Sequence, residues 1–238
     1  MYNMEDNYWW YVGLRELVLY FIDKFTLKKI WPMILDAGCG TGGLLRRWTA
    51  YKAYGLDISE EAIKFCKLRK LNNIIKASIC NIPFKNNSFD LLISLDVLYH
   101  IGVKSDIKAL EEFYRLLDKG GALLLNLPAY DFLQSGHDKV IHTRHRYTLK
   151  ELKQKVKKVG FTIEKISYRN TILFPSVFAL RLIERILSNK KREAKSDLRS
   201  LPRVINEFLT QILLLENRLI SVLNFPFGLS IFCIARKQ

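Results

Sequence analysis

Apolar residues along this chain gather into short runs separated by glycine turns and amphipathic stretches, beginning at Ile34. Ile34-Leu35-Asp36 reads as the end of a strand, Gly38 to Gly43 as a loop, and Leu44 to Ala50 as the start of a helix. Tyr54 to Asp57 supplies a second strand. Ser59 then caps a helix whose first turn carries Glu60 and Glu61, which suits the positive end of a helix dipole. Asn73 to Ile79 is a third strand, and Phe89 to Leu95 (FDLLISL) is the unbroken apolar run of a strand buried on both faces of a parallel sheet. Ser105 caps a helix that closes at Lys119-Gly120-Gly121, and Ala122 to Leu127 follows as a fifth strand. Thr148 to Glu151 matches a capping box and opens a helix closed by Gly160, and Phe161 to Tyr168 alternates as a sixth strand. Strands alternating with helices at this spacing predict an α/β fold built on a mostly parallel sheet.

The last quarter breaks the rhythm. Gly228 to Ala235 reads as a final strand, yet about 60 residues separate it from the sixth, far beyond an ordinary loop. Two helical stretches fill the gap. The first carries Arg181, Glu184, Arg185 and Ser188 as a polar stripe; the second sets Ile205, Phe208, Ile212, Leu215, Leu219 and Val222 on one apolar face. A charge-rich connector, Asn189 to Arg199, joins them. The expected organisation is an N-terminal helical lid (1–30), a core (31–170 and 226–238) and a helical cap (171–225) serving acceptor or interface.

Charge changes the picture of partners. The 238 residues hold 38 Lys and Arg against 23 acids, a net +15, which favours an anionic partner without choosing among nucleic acid, lipid surface and phosphorylated substrate. Cys39, Cys66, Cys80 and Cys233 lack the paired spacing of a zinc ribbon, a disulfide framework or an iron–sulfur site. No run of about 18 apolar residues escapes Pro, Gly or charge, and the start lacks the order of a signal peptide, so the expected location is cytoplasmic, with peripheral membrane contact through the cap.

Gly38-x-Gly40-x-x-Gly43 followed by Asp57 satisfies the dinucleotide fingerprint, but the same logic serves any ligand with a ribose and a group that backbone N–H groups can approach. Asp36 discriminates: a carboxylate two residues before the first glycine repels a pyrophosphate and suits the ammonium and sulfonium of S-adenosylmethionine. ILDAGCGTGG (34–43), YGLDIS (54–59), IPFKNNSFDLLISLDVLYHI (82–101) and LLDKGGALLL (116–125) together resemble, in order and spacing, the class I S-adenosylmethionine-dependent methyltransferases of the small-molecule, type 11-like branch. That resemblance implies a Rossmann-like seven-stranded sheet with a reversed last strand. It also implies that Gly38, Cys39 and Gly40 line the methionine moiety with Asp36 near its ammonium, that Asp57 and Ile58 meet the ribose, that Asn81 and Ile82 frame the adenine, and that Leu95 adds backbone contacts. Asn81 stands where the family commonly has Asp, and its amide oxygen can accept the same hydrogen bond.

Acceptor chemistry belongs on loops at the C-terminal ends of strands four and five. His100 follows strand four directly and is the first candidate for a general base, with His137 second. His137, His142 and His145 with Asp138 invite a metal reading, but Lys139, Arg144 and Arg146 crowd the same run and repel a cation, so no metal is expected. His142, Arg144, Arg146 and Tyr147 read better as an acceptor clamp for a phosphate or carboxylate. Tyr8-Trp9-Trp10-Tyr11 reads equally as an aromatic lid or as a staple against the sheet, with Arg15 reaching towards the cofactor carboxylate. Asn126-Leu127-Pro128-Ala129-Tyr130 lies after the fifth strand rather than the fourth, which argues against nucleic-acid amino methylation. The expected activity is methyl transfer to an oxygen of a small or lipid-linked anionic acceptor. The alternatives are a carbon methyltransferase of a prenylated quinone and a non-catalytic S-adenosylmethionine-binding protein, and a homodimer built on the cap is a further expectation.

Overall fold

The computed structural model describes residues 2, 4–26, 32–48, 52–187 and 201–238. In chain order the elements are α1 (Trp9–Thr26), β1 (Met33–Ala37), β2 (Lys52–Asp57), α2 (Glu60–Leu68), β3 (Ile74–Lys76), β4 (Phe89–Leu95), α3 (Asp106–Leu116), β5 (Leu117–Pro128), α4 (Gly136–Val140), α5 (Leu149–Lys158), β6 (Thr162–Arg169), α6 (Phe174–Leu187), α7 (Arg203–Val222) and β7 (Ser230–Arg236). One seven-stranded sheet runs β3-β2-β1-β4-β5-β7-β6, and β7 is antiparallel to both β5 and β6. This is the Rossmann-like sheet with a reversed last strand. Its strand order reverses beside β1 and β4, which opens a crevice at their C-terminal ends.

Each sheet face carries its own core. Leu110, Phe113 and Leu116 of α3 and Leu152 and Val156 of α5 pack on one side; Leu17, Val18, Phe21 and Ile22 of α1 with Ile220 of α7 pack on the other. Ser59, Ser105 and Thr148 accept backbone N–H groups at the starts of α2, α3 and α5, as their sequence positions imply.

The expected helix start at Leu44 to Ala50 is, over its described residues up to Trp48, a single 3-10 turn, Leu45–Arg47, after the glycine loop. In α7 Ile205, Phe208, Leu215, Leu219 and Val222 are exposed while Leu213, Glu216, Asn217 and Ile220 are buried. The polar pair dictates that orientation. Glu216 accepts backbone N–H groups from Asn170 and Ile172 at the end of β6, and Asn217 Nδ2 donates to the Gly13 carbonyl of α1 at 2.7 Å. Leu213 crosses α1 at Gly13, where a Cβ would lie 2.5 Å from its Cδ1. The connector from Asn189 to Arg199, with Ser188 before it, lies outside the described residues.

Candidate active site

A cavity of about 950 Å³ opens at the C-terminal ends of β1, β2 and β4, roofed by the start of α1 and by α6. The glycine loop forms one end of it. Gly38, at φ +91°, lies so close to Val97 that a Cβ would come within 2.3 Å of Cγ2, so only glycine lets the loop pass under the residues that follow β4.

Carboxylates already occupy the loop's amides. Asp57 accepts from Gly40 N and Ser59 N, both at 2.9 Å, and Glu5, folded in from the N-terminal segment, accepts from Gly43 N at 3.2 Å and from the Thr41 hydroxyl. Asp36 is buried 3% exposed beneath the loop. Burial, with the nearby charges of Glu5 and Asp57, raises its pKa well above the usual carboxylate range. A pyrophosphate entering here would meet this acidic cluster and find no helix N-terminus to receive it. A ligand with an ammonium and a sulfonium supplies the positive charge the cluster lacks, and each Asp57 oxygen keeps a lone pair for a ribose hydroxyl. The residues present therefore fit S-adenosylmethionine.

The structure brings Asp36, Gly38, Cys39, Gly40, Asp57, Ile58 and Leu95 together on this cavity. It does not bring Asn81 and Ile82 there. Asn81 is exposed, Ile82 is packed in the core with its N–H on Glu112, and Ala77, Ser78 and Ile79 form the wall instead. The β-bridge between Ser78 and Asn81 folds the chain back, so the residues nearer β3 face the ligand space. Arg15 lines the cavity but donates to the carbonyls of Glu5 and Asp6, fixing the N-terminal segment over the loop. The aromatic start of the chain takes both readings: Tyr8, Trp9, Trp10 and Tyr11 line the cavity, while the later turns of α1 are sheet core.

His100, His137 and Arg146 also line the cavity. Gly102 N–H donates to His100 Nδ1 at 3.0 Å, so the ring proton resides on Nε2, and burial with nearby His142 lowers its pKa. Arg146 is clamped by Asp138 through Nε at 2.8 Å and a second nitrogen at 3.0 Å. His142, Arg144 and Tyr147 lie off the cavity. Arg144, Tyr147 and Lys155 converge on buried Asp106, whose desolvation is outweighed by their hydrogen bonds, so its pKa is lowered. Their anion is thus part of the fold. Asp106, His145 and Glu151 bring ligand atoms within 4.8 Å of one another, but the Lys155 ammonium sits on Asp106 and Glu151.

Asp96, directly after β4, is the group that sequence reasoning passed over. It holds φ +57°, lines the cavity and accepts from Asn126 Nδ2 at 2.9 Å. Burial raises its pKa to about 6 against the opposing effects of Asn126, Arg169 and Arg146. The signal was present, since a carboxylate directly follows a mostly apolar strand.

Residues 35–125 match the family model described as a methyltransferase domain. The chain carries a methyltransferase domain over those residues. An uncharacterised protein of Methanocaldococcus jannaschii is 34% identical over 161 residues, 67% of this chain and 66% of its own length. The tRNA (carboxymethyluridine(34)-5-O)-methyltransferase of Arabidopsis thaliana is 35% identical over 96 residues, 40% of this chain and 24% of its own. The chain therefore spans between 24% and 66% of these relatives. Among solved structures, a methyltransferase from Archaeoglobus fulgidus aligns over 94% of both chains with TM-score 0.57 and 19% identity. Phosphoethanolamine N-methyltransferase 2 of Haemonchus contortus, bound to S-adenosylmethionine, aligns over 92% of this chain and 51% of its own, with TM-score 0.55 and 23% identity. These likenesses extend the methyltransferase fold beyond the matched domain, to β6, β7 and the helices around them. Among the described residues no helix is long and apolar enough to cross a membrane.

Proposed function

We propose that the protein transfers a methyl group from S-adenosylmethionine to an oxygen of a small or lipid-linked acceptor bearing an anionic group. Asp96 carries this reading. A carboxyl tuned to about 6, open to the cavity just past the cofactor cradle, is ionised at neutral pH yet basic enough to take a proton from a hydroxyl. S-adenosylmethionine, which Asp57 and the glycine loop would hold, would supply a methyl group on a sulfonium whose sulfur keeps the electron pair as a neutral thioether leaving group. The hydroxyl proton passes to Asp96, and Asn126 holds that carboxyl in place. His100 presents a donor to the cavity and is better suited to orienting the acceptor than to deprotonating it. Desolvation and alignment supply the rest of the acceleration.

Val177 and Leu180 of α6 line the cavity, and Leu182, Ile183 and Ile186 beside them are exposed, which supports an acceptor with an apolar tail. The tRNA named for the Arabidopsis relative is not carried over, since that alignment takes in 40% of this chain.

The test is incubation with methyl-labelled S-adenosylmethionine and fractionated lipid and small-molecule extracts. Label recovered in a methyl ether or ester is the expected result. Label on nitrogen or carbon, or on no acceptor at all, would contradict the proposal.

A further inference from the structure

Arg169, at the end of β6, is fully buried, and Nε and both terminal nitrogens lack a hydrogen-bond partner among the described residues. Burial lowers its pKa to about 10, countered by the charges of Glu216 and Asp96, so the guanidinium stays charged at neutral pH. Glu216 spends its oxygens on the N–H groups of Asn170 and Ile172, and Asp96 is bonded to Asn126. An enclosed, unpaired guanidinium is costly to a fold, and its retention asks for a ligand.

Other unsatisfied groups gather beside it: Ser230 Oγ, Asn126 Oδ1 and both side-chain polar atoms of Asn170. Register sets Arg169 opposite Ser230 and Ser230 opposite Pro128, with Asn126 two residues earlier on β5. Residues paired across strands share a face, so Asn126, Ser230 and Arg169 all present their side chains on the side covered by α1 and α7. Ser230, Pro128 and Trp10 line the cavity, and the Arg169 guanidinium carbon lies 5.8 Å from the Trp10 ring centroid. The guanidinium therefore sits one side-chain layer behind the cavity wall. The cations on that wall are otherwise engaged, Arg15 with the Glu5 and Asp6 carbonyls, Arg146 with Asp138 and Arg181 with Glu184.

We propose that Arg169, with Ser230 and Asn126 beside it, forms the subsite that receives a carboxylate of the acceptor, reached by displacement of the Trp10 indole. A carboxylate matches one guanidinium in charge and in its planar, two-point geometry, whereas a phosphate dianion would bring a second charge against Asp96. This subsite rests on the methyl-transfer reading, and it relocates the acceptor's anion from Arg144 and Arg146 to Arg169.

The experiment uses the full chain loaded with S-adenosylhomocysteine, with benzoate and inorganic phosphate as probes. Wild type is expected to bind benzoate more tightly than phosphate. Arg169→Met should weaken benzoate at least tenfold, leave S-adenosylhomocysteine affinity unchanged and keep or raise Tm, because an uncompensated buried charge is removed. Should Arg169→Met fail to fold, Arg169→Lys, which keeps the charge and loses the two-point geometry, decides the matter by the same loss of benzoate. Equal benzoate binding by the variant, no benzoate binding by wild type, or a preference for phosphate would overturn the subsite. If S-adenosylhomocysteine fails to bind while benzoate still depends on Arg169, the subsite stands and the methyl-transfer reading falls.

Discussion

Asp96→Asn is expected to lower kcat by about 10²–10⁴, the usual worth of a positioned general base, while S-adenosylhomocysteine binds as before. The substitution keeps the size of the side chain and removes its charge and its capacity to take a proton. Asp96 contacts Asn126 and lies beyond the glycine loop, so the cofactor cradle built by Asp57, Gly38 and Gly40 is untouched. The sign of the pH dependence follows from burial. Asp96 is raised to about 6, and its ionised form is the active one. The wild-type rate should therefore climb with pH up to about 6 and level off above it. In Asp96→Asn that acidic limb should vanish from whatever rate remains. Stopped-flow or label-transfer kinetics from pH 5 to 8 check both points; an unaltered kcat with an intact acidic limb would assign the base elsewhere.

Asp57→Ala should weaken S-adenosylmethionine by at least 100-fold. Asp57 accepts two backbone N–H groups, Gly40 N and Ser59 N, and so ties the glycine loop to β2 and to the start of α2. Its removal deprives the ribose of two charge-assisted hydrogen bonds, worth roughly 1.5 kcal/mol each, or ~3 kcal/mol together. Releasing the loop amides adds to that loss. Unchanged affinity, measured calorimetrically, would mean that the ribose is held by other groups.

Local pattern carried the frame of this molecule because each strand answers to its own composition. FDLLISL can only be a strand covered on both faces, and glycines at 38 and 40 with Asp57 announce a cofactor loop wherever they sit. What stayed hidden depends on contacts between distant segments. Glu5 reaching the glycine loop across 38 residues and Arg144 spent on Asp106 at a separation of 38 leave no trace in spacing. Glu216 looks solvated in a helical projection, whereas it caps backbone groups 44 and 46 residues away. Arg169 escaped for the same reason, as a polar residue just past an alternating strand. Its enclosure is visible only once β7 and α1 are packed beside it. Ser78 rather than Asn81 lines the cavity because a tight turn, not a residue type, decides which of them faces it.

The acidic cradle of Glu5, Asp36 and Asp57 is expected to select a sulfonium nucleoside over a dinucleotide. Calorimetric titration of the full chain with S-adenosylmethionine, S-adenosylhomocysteine and NAD tests it most directly. Binding of both sulfur ligands with no heat from NAD is the predicted result, whereas binding of NAD alone would contradict the cofactor assignment and leave the fold standing.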